Sequence, residues 1–168
     1  MFAMFTSTLG DYILSGYKPI VSRLPLKGFI AGGGVFAVAH IIYAIAFGYQ
    51  IYLNEYEFIN IGALFGVFIF IALVIIMSLI CYRNKPSTQM IVFAFIYLTL
   101  ICSACTCVFS IAYSSRGIKI ISAIGALFFM ISDFIIALDV FGKINIPHRI
   151  DLIWTFYPIG QILLLLGA

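Results

Sequence analysis

The chain has 168 residues, of which 64% are hydrophobic and only 9% charged. A water-soluble domain is nearer half apolar and a quarter charged, so the solvent for most of this chain is lipid. The formal net charge of +3 lies in the breaks between apolar runs, unlike the continuous basic stripe that nucleic-acid binding requires.

In chain order, six apolar segments emerge at roughly 1–16, 28–49, 60–82, 89–113, 120–141 and 152–168, set against the ~20 residues that span a bilayer. The first and last are at the lower limit for a span. Met1 to Leu9 carries neither a basic start nor a small-residue cleavage site, so no signal peptide is expected. The breaks hold most of the charge, together with Pro19, Pro25, Pro86 and Pro147. Inside a bilayer the backbone must satisfy its own hydrogen bonds, and nothing here alternates as barrel strands do. The expected fold is therefore all-α, a polytopic bundle of about six transmembrane helices forming one membrane domain over 1–168.

Basic residues set the expected orientation. The breaks after segments one, three and five hold Lys18, Arg23, Lys27, Arg83, Lys85, Lys143 and Arg149, whereas the other breaks hold Arg116 and Lys119 beside Glu55 and Glu57. That bias places the first set in the cytoplasm and both chain ends on the opposite side. A bacterial chain of this kind belongs in the inner membrane and a eukaryotic one in the endoplasmic reticulum.

Polar residues within the apolar segments carry the functional information, because an ionisable group facing hydrocarbon costs a few kcal/mol or more. They are Asp11, His40 and Asp133, with Tyr43, Tyr97, Tyr157 and Gln161 as polar company. Asp139 lies near a helix end and is expected at the interface, while His148 and Asp151 are expected in a solvated loop. At ~1.5 Å per residue from the cytoplasmic ends, Asp11 and Tyr157 lie about 8 Å deep, Asp133 about 12, Gln161 about 14 and His40 about 18. Four helices thus place polar groups within a slab about 10 Å thick, which points to one shared cavity opening toward the cytoplasmic leaflet.

Helical spacing gives the faces. Phe36, His40 and Tyr43 share one, as do Gly125, Phe129 and Asp133, and Tyr157 with Gln161. Pro158 removes the partner of the Trp154 carbonyl and is expected to kink the last helix. Gly28/Gly32 and Gly62/Gly66 are small-xxx-small pairs that suit close helix packing. The Gly32-Gly33-Gly34 run follows no strand and is no phosphate loop. Cys81, Cys102, Cys105 and Cys107 suggest no disulfide framework. Cys105 and Cys107 point to different faces with no histidine or carboxylate to complete a metal set, so no metal is expected.

Four ordered motifs carry a resemblance. They are Leu9-Gly10-Asp11-Tyr12-Ile13-Leu14; Gly34-Val-Phe36-Ala-Val-Ala-His40-Ile-Ile-Tyr43-Ala-Ile-Ala-Phe47; Gly125-Ala126-Leu127-Phe128-Phe129-Met130-Ile131-Ser132-Asp133; and Tyr157-Pro-Ile-Gly-Gln161. Together they resemble the lysoplasmalogenase family of membrane proteins, also called YhhN-like. Pro158 stands where that family's terminal motif has a second tyrosine. The resemblance implies about eight helices, so the helices before the Gly-Asp motif are expected to be missing from this sequence.

The resemblance also implies an activity: hydrolysis of the vinyl-ether bond of lysoplasmalogens to a fatty aldehyde and a glycerophospho-alcohol. Such a reaction needs an acid that keeps its proton near neutral pH and a group that stabilises or hydrates an oxocarbenium ion. Two buried carboxylates can divide this work, because burial and mutual repulsion favour a proton on one member of a pair. Glycosidases use the same division, here as an analogy. On this reading Asp11 and Asp133 are the catalytic pair, with the acid unassigned, and His40 orients or shuttles protons. Tyr43, Tyr157 and Gln161 position substrate or water, and Lys18, with Arg23 and Lys27, holds the lipid phosphate. The expected partners are a lysophospholipid substrate and membrane lipid, with no nucleic acid, no metal and no cofactor; oligomeric state is not legible. The rival readings are a small transporter or lipid-binding membrane protein, an inactive fragment of the enzyme, and an intramembrane aspartyl protease, whose paired motifs the flanking residues do not form.

Overall fold

The computed structural model describes residues 2–14, 28–115, 117 and 119–167. Among them are six helices and no strand: α1 (Phe2–Leu14), α2 (Gly28–Leu53), α3 (Ile61–Asn84), α4 (Thr88–Ser115), α5 (Lys119–Val140) and α6 (Arg149–Leu166). Helices α2 to α6 are long and apolar enough to cross a bilayer. The 13 residues of α1 make about 20 Å of helix, short of a full span.

The surface has the inverse polarity of a soluble protein. Ile45, Phe68, Ile75 and Leu79 are mostly exposed, whereas His40, Ser110, Ser132 and Gln161 are buried. Apolar exposure on this scale is tolerable only against lipid. The chain is an integral multi-pass membrane protein. Outward hydroxyls obey the same constraint: Thr8, Ser78, Thr99 and Ser103 each donate to the carbonyl four residues back, so none needs water.

Helix ends fall where polar residues can close them. The Asn60 side chain accepts from the Ala63 N–H and caps α3, while its amide donates to the Ser110 and Ser114 hydroxyls of α4. Lys85 closes α3 in a left-handed conformation, with its N–H on the Cys81 carbonyl. Arg149 and Asp151 belong to the first turn of α6 and not to the preceding loop. Both side chains suit a helix start at the interface: Asp151 favours the N-terminal dipole, and Arg149 pairs with Asp139 near the end of α5. His148, just outside α6, has a left-handed backbone. Helix α6 runs uninterrupted through Pro158.

The packing order is α1 on α2, α2 on α4, α4 on α3 and α5, and α5 on α6. Central α4 is therefore buried on several sides, and Ile101, Cys102, Cys105, Val108 and Phe109 fill the main core. Small residues bring backbones close. A Cβ on Gly66 would lie 2.5–2.9 Å from Thr106 of α4, and Gly62 meets the Phe109 carbonyl. A Cβ on Gly160 would lie 2.8 Å from the Phe129 nitrogen and 2.9 Å from the Gly125 carbonyl oxygen. The four cysteines are buried free thiols.

Candidate active site

Glycines position the first carboxylate. Gly10 lets α1 approach the Phe36 ring so closely that an added Cβ would lie 2.7 Å from it. Phe36 in turn stands edge-on to Tyr157 of α6, with ring centroids 5.9 Å apart. The Tyr157 hydroxyl then donates to Asp11 Oδ2 at 3.0 Å. The Gly-Asp step of α1 thus does two things: the glycine sets the distance to α2, and the next residue reaches α6.

The second carboxylate sits in a tighter network. Tyr97 of α4 donates its hydroxyl proton to Asp133 Oδ2 at 2.5 Å. His40 Nε2 lies 3.2 Å from the same hydroxyl and 3.7 Å from Asp133 Oδ2. With the Tyr97 hydroxyl donating to Asp133, the His40 contact is a hydrogen bond in the tautomer that carries its proton on Nε2. Edge-on packing holds the imidazole against Tyr97 and Phe129, at 5.3 and 5.2 Å between ring centroids. The approach of α5 to α6 at Gly125 and Gly160 places Phe129 beside Tyr157, 5.4 Å between centroids, and so links the two networks.

Both carboxylates face one cavity of about 290 Å³, whose polar lining is Asp11, Asp133, Tyr97, Tyr157 and Ser132. The other walls are apolar, among them Phe36, Phe93, Met130 and Trp154. A largely apolar cleft with a few convergent polar groups is the usual form of a small-molecule site.

The expected site residues are thus distributed in layers. Asp11, Asp133 and Tyr157 line the cavity. His40 does not line it; almost fully buried, it stands behind Asp133 and Tyr97. Tyr43 and Gln161 are also buried behind it, and are paired with each other by a 2.7 Å bond from the tyrosine hydroxyl to Oε1. The Gln161 amide nitrogen has no hydrogen-bond partner among the described residues. Lys18 lies outside the described residues.

Sequence reasoning put Tyr97 among the polar company but gave it no role. Its own helix offers no polar neighbour one turn away, so only the tertiary pairing with Asp133 and His40 reveals it. Among the described residues, no group of three histidine, cysteine or acidic side chains is arranged to hold a metal ion.

Comparison with protein-family models matches the YhhN family over residues 1–168. The chain belongs to the YhhN family. No curated protein and no solved structure matches it. In this YhhN protein the quoted motifs converge: Asp11, Asp133 and Tyr157 line one cavity, and His40 stands directly behind Asp133.

Proposed function

We propose that this protein is a membrane-embedded hydrolase that cleaves the vinyl-ether bond of lysoplasmalogens, with Asp11 and Asp133 as its catalytic pair. The observation that carries the reading is the pair itself: two carboxylates on different helices, each bonded to a tyrosine, facing one apolar cavity in a member of the YhhN family.

Asp133 is the acid in this proposal, because Tyr97 and His40 give its proton a route. A protonated His40 can pass its Nε2 proton to the Tyr97 oxygen while the Tyr97 proton moves to Asp133, along contacts of 3.2 and 2.5 Å. Protonated Asp133 then delivers that proton to the vinyl carbon remote from oxygen, leaving an oxocarbenium ion. Ionised Asp11 stabilises this cation and takes a proton from the water that attacks it. The resulting hemiacetal collapses to a fatty aldehyde and a glycerophospho-alcohol, so one water is consumed and no redox partner is needed. Tyr157 fixes the orientation of Asp11. His40 is a positioning and relay residue, Tyr43 and Gln161 support it from behind the cavity, and Lys18 assists the phosphate.

A reaction in heavy water tests the chemistry. Protonation at carbon requires the released aldehyde to carry one deuterium on the carbon next to its carbonyl. Aldehyde without that deuterium contradicts acid catalysis at carbon. The apolar walls also suit a lipid-binding or transport protein, or an inactive form of the enzyme. Those readings are favoured by saturable lysolipid binding with no aldehyde formed.

A further inference from the structure

The cavity has two unlike ends. Counting from the ends of α3, α4 and α5 nearest the α5–α6 connection, at ~1.5 Å per residue, Asp133 lies about 10 Å in. Leu73, Leu98, Ile101 and Met130 line the cavity about 15–20 Å in by the same rise, and all four are apolar. At the near end the lining is Phe141, Ile153 and Trp154. Here the Asn84 amide donates to the Gly142 carbonyl at 3.3 Å, joining the end of α3 to the connection between α5 and α6.

Charge separates the two ends as well. Among the described residues, the near end carries Arg83, Lys85, Lys143 and Arg149 against Asp139 and Asp151. In the sequence, the opposite connections carry Glu55 and Glu57 against Arg116 and Lys119, a balance of charge. An anionic headgroup is therefore drawn to the near end, and an aliphatic chain finds only apolar partners at the far one.

We propose that the cavity takes a single-chain phospholipid in one direction, with its phosphate at the Asn84–Gly142 rim and its tail on a floor of Leu73, Leu98, Ile101 and Met130 that sets the longest chain accepted. This rests on the reading of the cavity as a lysolipid site, and it adds the direction of binding and the residues that select chain length. The carboxylates stand between rim and floor, so the bond nearest the headgroup end of the chain is the one they face.

The single tryptophan of the chain, Trp154, lines the near end and reports direction without any hydrolysis. The probes are acyl lysophospholipids, which have no vinyl ether, carrying a nitroxide either next to the headgroup or at the methyl end of the tail. The head-end label should quench Trp154 at least about twice as strongly as the tail-end label, reversibly on adding unlabelled lysophospholipid. In a Trp154→Phe/Leu73→Trp chain the order should invert. Equal quenching by the two labels, the same order in both reporters, or no displaceable quenching in either overturns the proposal.

Chain length is a second readout that a misfolded reporter cannot obscure. Ile101→Ala deepens the floor and should shift the preferred chain to a longer one. Leu98→Phe should weaken the longest accepted chain by about fourfold for each methylene left uncovered. An unchanged length profile in both variants contradicts the floor. Aldehyde release measured beside these assays separates the two failures. Correct quenching without aldehyde leaves the direction standing and removes the hydrolase reading; aldehyde with the wrong quenching order does the reverse.

Discussion

Tyr97→Phe is the substitution on which the relay turns. The Tyr97 hydroxyl makes the 2.5 Å bond to Asp133 and the 3.2 Å contact with His40, and it bridges the two. Phenylalanine keeps the ring, which stacks on Phe93 at 6.0 Å and meets His40 edge-on at 5.3 Å, so packing is retained. What is lost is a hydrogen bond to an ionisable group, worth about 1.5–3 kcal/mol. At a factor of ten per ~1.4 kcal/mol, turnover should fall about 10- to 150-fold. The assay is aldehyde release from a lysoplasmalogen, with kcat and KM resolved and thermal unfolding recorded in the same detergent. The relay predicts that kcat falls, KM changes little and the unfolding temperature holds. It also predicts that Tyr97→Phe/His40→Ala is scarcely slower than the worse single variant, since both break one path. A Tyr97→Phe protein that turns over within about a factor of two of the parent would refute the relay.

Other predictions concern the scaffold. Gly160→Ala forces a Cβ to within 2.8 Å of the Phe129 backbone nitrogen, which cannot rotate away. Helices α5 and α6 must part, at a cost of about 1–3 kcal/mol, visible as a lower unfolding temperature together with lost turnover. Asn60→Ala removes the cap on Ala63 and the amide that joins Ser110 and Ser114. A loss of about 2–4 kcal/mol is expected in chemical denaturation, with Asn60→Asp intermediate because it keeps the cap. Asp139→Asn breaks a pair with Arg149 that is about a third exposed on each side. It should cost no more than about 1 kcal/mol, less still in high salt, and leave kcat unchanged.

The helices were legible because lipid imposes one rule on the backbone, and long apolar runs obey it. The edges were less so. Arg149 and Asp151 read as loop because they are charged, yet a first helical turn at the interface welcomes an acid and pairs Arg149 with Asp139. Of the site, depth and helical face pointed Asp11, His40, Asp133, Tyr157 and Gln161 toward one shared cavity; Asp11, Asp133 and Tyr157 line it, whereas His40 stands behind Asp133. The same periodicity put Tyr43 and Gln161 on the right faces but not at the right distance from the cavity. A helical face is wide enough to hold both lining and supporting residues, and interhelical packing decides which is which. Tyr97 and Gly160 show the remaining gap: each acts through partners on other helices, a relation that no spacing within a helix encodes.

The most direct test of the central claim is mass-spectrometric release of fatty aldehyde from a lysoplasmalogen by the purified, detergent-solubilised chain, beside Asp133→Asn and Asp11→Asn. The paired-carboxylate account predicts aldehyde from the parent chain and its near-complete loss in each variant, with all three unfolding cooperatively. Near-parental release from both variants would contradict it.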